Sequence, residues 1–518
     1  AAIHLVTVSN VLLDNINIVG GAEQGINGNN VTNFALLNSS ITGVGNAADE
    51  DGIHFYNMSG AGRIVNSTIT GNADDNVNLQ MQSGNLDLHI SGGSASTAVA
   101  GSGYLFGIRG SAIANINLET VSVQNNSGGG IVADAFDNAT MNVRVAGSNS
   151  TGNANQLAVS AGDNSKVDVD ASGNVFASGT GDSVAVALSG SSFDNGYVFD
   201  ARLHDNTITV GNGVAADGVS INNPGGGTMN VAVTDNTIGY AGTTRAILVQ
   251  SGQDGNGITR ATITGNDIDI LLDGAGNAQN GILAQNALVG PGVTSHMDLN
   301  IGGAGLLANT FTHSLGGVLA GGDIRVRQRN DGTVNLDGYL GAPTDTAAVN
   351  AYFNARNNEV SSSTSTVQTV GFTGSASPTF ITVTVSAVSV DEDSGTGLVY
   401  TFTRSGDTAA ALIADFAVTG TADSADFTLS GATSYSIGTG LGTVTFAAGS
   451  DTAQITVDPI ADGILEFAES VVVDAGNSAT ANGSFAHAFI ANDDAGMAMM
   501  MTIPSGGGPL AHAQEWLL

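Results

Sequence analysis

The chain of 518 residues contains no cysteine, one lysine (Lys166) and few aromatic residues, which make up 5% of it. The absence of cysteine excludes disulfides, thiol nucleophiles and cysteine-ligated zinc sites. Lys and Arg total 12 against 46 Asp and Glu, so the formal net charge is −34. Phosphate backbones and anionic lipids repel such a surface. We therefore expect neither a nucleic-acid partner nor a polybasic membrane contact.

Long apolar runs are also missing. The sequence has no stretch of about 18 apolar residues, the minimum for a membrane-spanning helix, so we expect no transmembrane segment. Hydrophobic residues nevertheless make up 42% of the chain and 73 residues are glycine, a composition typical of a folded protein rich in turns. The chain starts at Ala1, without Met, in strand-like sequence, as expected of a processed or excerpted product.

A repeat dominates residues 1–360. Short apolar segments recur at steps of mostly 25 to 35 residues, and an asparagine-containing phrase follows each of them. The asparagines of this series include Asn38, Asn66, Asn206, Asn236, Asn266 and Asn309. Gly, Asn, Asp and Ser interrupt the sequence every few residues, and helical periodicity is nearly absent. The pattern predicts one coil of a right-handed parallel β-helix per repeat, about eleven coils in all.

Stacked coils would place like residues above one another. We expect the recurring asparagines to form a ladder of side-chain amides, each bonded to the turn of the next coil. The periodic Asn-x-Ile phrase resembles the right-handed parallel β-helix repeat proteins of bacteria. That family includes pectinolytic enzymes, phage tailspikes and large surface adhesins, so the fold alone does not select a function.

The character of the sequence changes after residue 360. Residues 361–380 are small and polar and are interpreted as a linker, and residues 381–496 contain short alternating segments separated by turns. The clearest segments are Ile381–Val385, Leu398–Arg404, Gly442–Phe446, Ala453–Val457 and Ser470–Val473. They predict an antiparallel β-sandwich. Residues 497–518 form a tail that belongs to neither domain, and we interpret it as docking on a neighbouring copy or as an expression or sorting remnant.

Residues 381–496 hold fifteen acidic residues and one Lys or Arg, Arg404, which is costly unless a cation neutralises them. The sequence here resembles a Calx-β domain in the segments Val390–Gly395, Tyr400–Gly406, Val418–Ala422, Val444–Gly449 and Ile490–Asp494. The resemblance implies a Ca²⁺ site at one end of the sandwich, built by carboxylates from separate loops. The ligands that it implies are Glu392, Asp426, Asp462, Glu466, Glu469, Asp493 and Asp494. The alternative is a solvated acidic face without a metal.

Two acidic phrases form the best candidate for an active site. Asp49, Glu50 and Asp51 precede one predicted strand, and Asp74 and Asp75 precede the next, 25 residues later. One coil apart, these carboxylates would stack on adjacent turns, within range of acid–base work on a glycosidic bond. The second phrase resembles the paired aspartates of polygalacturonases, but the Gly-His-Gly and Arg-x-Lys elements of that family are missing. Asp51 and Asp75 are the candidate catalytic residues, and turn chemistry is the alternative.

The expected function follows from these features. We expect a bacterial extracellular or cell-surface protein with a structural or adhesive role, as an adhesin segment or a self-associating fibre subunit that binds calcium. One alternative is a lyase, hydrolase or epimerase that acts on polysaccharide, with His54 and Arg109 as partners of the candidate carboxylates. Another is a passive glycan-binding adhesin. Its aromatic platform would have to come from the cluster Phe55, Tyr56, Tyr104 and Phe106.

Overall fold

A computed structural model describes most of the chain, and nearly all of its regular elements are β-strands. The described residues are 1–178, 185–191, 196–271, 280–287, 292–316, 319–368, 370–375, 381–387, 389–404, 408–420, 422–461, 469–475 and 485–491. The predicted tail at residues 497–518 therefore lies outside the described residues. None of the described helices is long and apolar enough to span a bilayer.

The first part of the chain, residues 3–375, is a stack of coils with three faces of parallel strands. Two faces belong to one 24-stranded sheet, because β1 (Ile3–Asp14) and β3 (Ile26–Leu37) each cross both of them. The first face continues with β5 (Ile53–Tyr56), β8 (Val77–Met81), β11 (Tyr104–Ile108), β14 (Ile131–Ala135), β17 (Leu157–Ala161), β20 (Val186–Gly190), β23 (Val219–Asn223), β26 (Arg245–Ser251), β29 (Asn280–Asn286), β32 (Ile324–Gln328) and β34 (Ser363–Thr366).

The second face runs beside the first. Its strands are β6 (Ser59–Val65), β9 (Asn85–Ser91), β12 (Ile113–Glu119), β15 (Thr140–Ala146), β18 (Lys166–Ser172), β21 (Val198–His204), β24 (Thr228–Thr234), β27 (Ile258–Thr264), β30 (His296–Ile301), β33 (Thr333–Asp337) and β35 (Phe372–Ser375). The third face is an 11-stranded sheet. It consists of β2 (Asn17–Val19), β4 (Ser40–Thr42), β7 (Thr68–Thr70), β10 (Ser94–Ser96), β13 (Ser122–Gln124), β16 (Asn149–Thr151), β19 (Val175–Ala177), β22 (Thr207–Val210), β25 (Thr237–Tyr240), β28 (Asp267–Ile270) and β31 (Thr310–Thr312).

The register stacks like positions above one another. On the first face, Val77 pairs with Tyr104, Tyr104 with Ile131 and Ile131 with Leu157, and all four side chains are buried. Because side chains alternate along a strand, these inward residues form a continuous row while their neighbours point outward. The long parallel sheets expected from the repeat are confirmed, and a single apolar core runs through the coil stack.

Asparagine ladders connect the coils internally. Asn206, Asn236 and Asn266 each donate their side-chain amide to the Oδ1 atom of the ladder asparagine in the next coil, at 2.9 to 3.0 Å. The expected ladder is confirmed for this series. It is wrong for Asn38 and Asn66, which have positive φ angles at the turn; Ser39 and Ser67 occupy the ladder position in those coils.

The end of the coil stack differs from the expectation. A helix, α1 (Thr346–Arg356), begins at Asp345, whose carboxylate caps it by accepting a hydrogen bond from the backbone N–H of Ala348 at 3.0 Å. Its buried residues Val349 and Phe353 pack on the core of the stack. The linker prediction for residues 361–380 is wrong where β34 and β35 pair with β32 and β33. Alternating small polar residues here form an edge of the sheet instead of a connection. A 3-10 turn, Gly305–Leu307, is the remaining helical element of the described stack.

The C-terminal sheet pair, residues 381–491, contains two mainly antiparallel sheets around a second core. The four-stranded sheet has β36 (Ile381–Val385), β38 (Leu398–Arg404), β43 (Thr452–Pro459) and β40 (Phe427–Ser430). The six-stranded sheet has β37 (Ser389–Asp391), β45 (Phe485–Ala491), β44 (Glu469–Asp474), β39 (Leu412–Thr419), β42 (Leu441–Phe446) and β41 (Ser434–Ser436). A 3-10 turn, Glu392–Ser394, follows β37.

The six-stranded sheet lies against the second face of the coil stack. Its residues Val472, His487 and Phe489 are buried, yet they are absent from the core between the two sheets. The ring of Phe489 meets that of His89 on β9 edge to face, with centroids 4.9 Å apart. The side chain of Ser470 hydrogen-bonds Asp87 on the same strand. The sheet pair therefore docks on an outward, polar surface of the stack.

Candidate functional site

The two acidic phrases meet as the sequence predicts. Asp51 and Asp75 lie in the turns that lead into β5 and β8, two strands that stack directly on each other. Carboxylate oxygens of Asp51, Asp74 and Asp75 lie within 4.8 Å of one another. Carboxylates this close repel one another when all are charged, and together they could hold one cation.

Hydrogen bonds between coils occupy part of these carboxylates. Oδ1 of Asp51 accepts the backbone N–H of Asp75 at 3.0 Å, and Oδ1 of Asp75 accepts the backbone N–H of Ser102 at 2.5 Å. Asp51 is 0% exposed and Asp75 is 5% exposed. Both residues therefore help to hold one coil on the next, which is the structural alternative for these positions.

The more accessible groups of the cluster are His54 and Asp74. Nδ1 of His54 lies 2.7 Å from Oδ2 of Asp51, while the imidazole retains 27% of its side-chain exposure. Asp74 is half-buried and accepts the backbone N–H of Asp49 at 2.8 Å. In the same coil as Asp74, Asn78 on β8 donates its amide to Oδ2 of Asp75 at 3.2 Å. A buried aspartate thus orients a partly exposed histidine beside two further carboxylates.

The electrostatics of the cluster favour proton retention. Burial raises the pKa of Asp51, and it raises the pKa of Asp75 to about 7, with the charges of Asp51 and Asp74 adding to the effect. The hydrogen bond to Asp51 raises the pKa of His54. Such a group of shifted acids is suited to proton transfer near neutral pH.

Arg109 does not join the cluster. Its guanidinium lies over the ring of Phe136, 4.4 Å from the centroid, and donates to the backbone oxygen of Asp134 at 3.0 Å. The guanidinium of Arg109 therefore lies beside β14, two coils beyond β8, and contacts neither Asp51 nor Asp75.

The expected aromatic platform is wrong. Phe55, Tyr104 and Phe106 are buried inside the coil stack, and only Tyr56 is substantially exposed, at 40%. The alternation of β5 and β11 places their bulky residues inward, where they fill the core. Stacking of a sugar on this aromatic cluster has no geometric support.

Three of the seven implied calcium ligands are described, and all three lie at one end of the C-terminal sheet pair. Glu392 directly follows β37, Glu469 begins β44, and both strands pair with β45 at its C-terminal end. Asp426 precedes β40, and its backbone oxygen accepts the N–H of Ile460, just beyond β43, at 2.8 Å. Carboxylates at shared loop ends suit a hard cation such as Ca²⁺. Asp462, Glu466, Asp493 and Asp494 lie outside the described residues.

One cationic cluster was missed by the sequence reasoning. Arg325 and Arg327 on β32 and Arg329 just after it line a cavity of about 270 Å³ on the first face of the coil stack, with Gln368 and Thr366. The signal is the alternation Arg-Val-Arg-Gln-Arg in a chain that has only 12 Lys and Arg residues. Period-two spacing places the first two arginines on the same, outward side of the strand.

Comparison with known proteins adds little to this geometry. No family model matches the chain, and no curated protein sequence matches it. Among solved structures, a crystal structure of the apo form of the Calx CBD1 domain is 19% identical and is covered over 100% of its length. The match spans 23% of this chain, with a TM-score of 0.18.

Proposed function

We propose that this chain is a bacterial extracellular or cell-surface structural protein, built as a right-handed parallel β-helix rod that carries a calcium-binding, Calx-β-like sandwich. The observation that carries the proposal is the unbroken stacking of three strand faces around one core. Such a stack is stiff because neighbouring coils are joined through backbone ladders and through buried side-chain hydrogen bonds. A stiff rod suits a spacer, an adhesin stalk or a fibre subunit.

The acidic cluster is consistent with this structural role. Asp51 and Asp75 direct one carboxylate oxygen each to a backbone N–H of the following coil, and these hydrogen bonds help to hold the coils together. At the sheet pair, Glu392, Asp426 and Glu469 would hold calcium together with carboxylates of neighbouring loops. Bound calcium would neutralise the mutual repulsion of these loops and stiffen that end.

Exposed apolar side chains on the first described coil favour self-association. Strand β1 pairs with β3 on one side, and no described strand pairs with its other edge. Val6 and Leu12 on β1 are 54% and 57% exposed, and Val19 on β2 is 71% exposed. An unpaired strand edge with apolar side chains associates readily with another strand. A second copy of this chain is the proposed partner of these side chains, because parallel coil-on-coil stacking already joins the described coils.

Electron microscopy of the purified protein tests the fibre, first with millimolar calcium and then after chelation. We expect filaments in calcium, and we expect the variant Val6→Ser/Leu12→Ser to shorten or abolish them. Val99→Ser is the control, since Val99 is an apolar residue that is even more exposed, at 67%, on a later coil. Single rods under both conditions would refute self-assembly, whereas filaments that ignore chelation would restrict calcium to local stabilisation.

A second candidate function is acid–base chemistry on a polysaccharide, and the His54–Asp51 pair beside Asp74 and Asp75 favours it. Here His54 or Asp74 would contact the substrate, because Asp51 is fully buried. The test is turnover of neutral and uronic-acid polysaccharides by the wild type, His54→Gln and Asp74→Asn. Turnover that both variants lose, with an unchanged thermal midpoint, would support an enzyme. No turnover by the wild type would reject it.

A further inference from the structure

The cluster of Arg325, Arg327 and Arg329 brings three guanidinium groups to one cavity, with no ion pair to any described carboxylate. Three other arginines of the stack form ion pairs: Arg245 with Asp217 at 2.8 Å, Arg260 with Asp298 at 3.4 Å, and Arg356 with Asp337 at 3.5 Å. No described residue forms an ion pair or a side-chain hydrogen bond with the three clustered guanidinium groups. In a chain with 46 Asp and Glu residues, three neighbouring arginines without a carboxylate mark a local reversal of charge.

The cluster is a costly arrangement for the isolated protein. Burial lowers the pKa of Arg327, and the charges of Arg325, Arg329 and Arg245 lower it further. Nε of Arg325 is buried without a hydrogen-bond partner among the described residues. Like charges held together at a cavity repel one another unless an anion lies between them. Guanidinium groups also present paired N–H donors that fit the two oxygens of a carboxylate or sulfate.

A row of amides leads along the first face to these arginines. In the register of the sheet, Asn222 stacks on Gln250, Gln250 on Gln285, and Gln285 on Arg327. Gln285 donates to the Oε1 atom of Gln250 at 2.7 Å. The row runs across successive strands, parallel to the axis of the stack, so its groups recur at roughly 4.8 Å. Asn222 and Gln250 are half-buried, while Gln285 is 6% exposed and links Gln250 to the arginines. The accessible amides, in line with a cationic cavity, can bond an extended, polar and anionic chain.

We propose that the cavity lined by Arg325, Arg327 and Arg329 binds the acidic groups, carboxylate or sulfate, of a polysaccharide that lies along the row Asn222–Gln250–Gln285. The guanidinium groups hold the anion, and the amides of Gln250 and Asn222 contact the neutral hydroxyl groups of adjacent sugar units. An overall charge of −34 repels most anionic polymers. Binding is therefore confined to this one patch, which sets the orientation of the glycan on the rod.

The proposal concerns a ligand site and does not depend on fibre formation or on turnover. Calorimetric titration with polygalacturonate, dextran sulfate and neutral dextran tests it, at low and at high salt. We expect the wild type to bind the two acidic polymers and not dextran, with affinity that falls as salt rises. Arg327→Gln should weaken binding about tenfold or more, since it removes charge-assisted hydrogen bonds.

Matched variants separate the site from general charge effects. Arg260→Gln removes the same charge from the second face and should leave the affinity unchanged, while Arg327→Lys keeps the charge but loses the planar fork and should bind with intermediate affinity. Circular dichroism and thermal unfolding confirm that each variant is folded. Equal affinities of the wild type, Arg327→Gln and Arg260→Gln would overturn the proposal.

Two further outcomes identify a different anion. Inorganic phosphate or sulfate is added at the same concentration of anionic groups as the polymer. If the inorganic ion displaces the polymer, the cavity is a site for a free ion and the proposal of a polysaccharide ligand is overturned. The acidic surface of a second copy is the other source of carboxylates. Dimers that form without glycan and dissociate in Arg327→Gln, measured by light scattering, would assign the cavity to self-association and likewise overturn the proposal.

Discussion

Nδ1 of His54 lies 2.7 Å from Oδ2 of the fully buried Asp51, and Oδ1 of the same carboxylate accepts the backbone N–H of Asp75. One side chain thus orients an imidazole at the surface and joins two coils. The substitution Asp51→Asn would affect the two roles differently. It keeps an oxygen that can accept the backbone N–H, but it removes the negative charge that faces His54. The contribution of Asp51 to coil stacking can therefore be measured separately from its effect on His54.

We predict that the stability of the coil stack decreases as pH rises from about 4 to 7, in part through Asp75. Burial raises the pKa of Asp75 from 3.8 to about 7, so in this range the folded state binds a proton that the unfolded state has released. Stability falls with pH wherever the folded state binds more protons. The effect has an upper limit of about 4 kcal/mol, and it should appear as a falling thermal midpoint.

Asp75→Asn should reduce this slope, because asparagine stays neutral and still offers Oδ1 to the N–H of Ser102. Asp254→Asn is the control, since Asp254 is exposed and should keep the slope of the wild type. His54 contributes with the same sign, because its raised pKa also gives stability that is present below 6.5 and lost as pH rises. A slope in Asp75→Asn equal to that of the wild type would contradict the assignment to Asp75.

A second prediction concerns the internal asparagine ladder. The amide of Asn236 donates to the backbone oxygen of Leu203 at 2.9 Å and accepts the backbone N–H of Asn206 at 3.0 Å. Asn236→Ala leaves these buried groups without partners, so we expect it to lower the free energy of unfolding by about 3 kcal/mol. Urea unfolding measures the change. Asn212→Ala, at an exposed turn, should cost less than about 0.5 kcal/mol, and similar losses in both variants would refute a specific role of the ladder.

Much of this architecture is readable from the sequence, because a coil stack repeats its local rules. Period-two alternation, turn residues and a buried asparagine recur at each coil, and Asn236 and Asn266 occupy the expected ladder. Asn38 and Asn66 deviate because in those coils the ladder position is held by serine, while the asparagine one residue earlier adopts the left-handed turn conformation. The Asn-containing phrase predicts where a turn lies. Which of its residues points into the core depends on how the coil aligns with its neighbours.

The parts that were not predicted depend on contacts between distant segments. The pairing of β34 and β35 with the stack is carried by backbone hydrogen bonds, so their small polar residues resemble a linker. The sequence around Phe489 gives no indication that its ring contacts His89, four hundred residues earlier. The acidic corner could be anticipated because Asp51 and Asp75 are one coil apart. The cluster of Arg325, Arg327 and Arg329 was not predicted, although the alternate spacing of these arginines is present in the sequence.

The docking of the C-terminal sheet pair gives the third prediction. Phe489 is 6% exposed and His487 is 1% exposed, and both face the coil stack. Phe489→Ala should release the sheet pair, since loss of a buried aromatic ring costs about 3–5 kcal/mol. Small-angle scattering should then show a larger radius of gyration, with faster hydrogen exchange in β9 and β12. Tyr435→Ala, within the sheet pair, should leave both observables unchanged; equal effects of the two variants would contradict docking through Phe489.

The fourth prediction is that acid weakens this docking through two histidines. Burial, together with the charge of Arg144, lowers the pKa of His487 to about 3. Burial, together with the charges of Arg63 and Arg144, lowers the pKa of His89 to about 4. Because the undocked histidines titrate near 6.5, docking through them is fully stable above that pH and is lost as pH falls toward 4.

Carboxylates in the same interface act in the opposite direction. Burial raises the pKa of Asp87 and of Asp168, and the charge of Asp474 raises that of Asp168 further, so these groups favour docking in acid. The histidine contribution is therefore the difference between the wild type and His89→Gln/His487→Gln. Scattering from pH 7 to pH 4 should show a larger expansion for the wild type than for the double variant. Identical pH profiles would show that protonation of His89 and His487 does not control the interface.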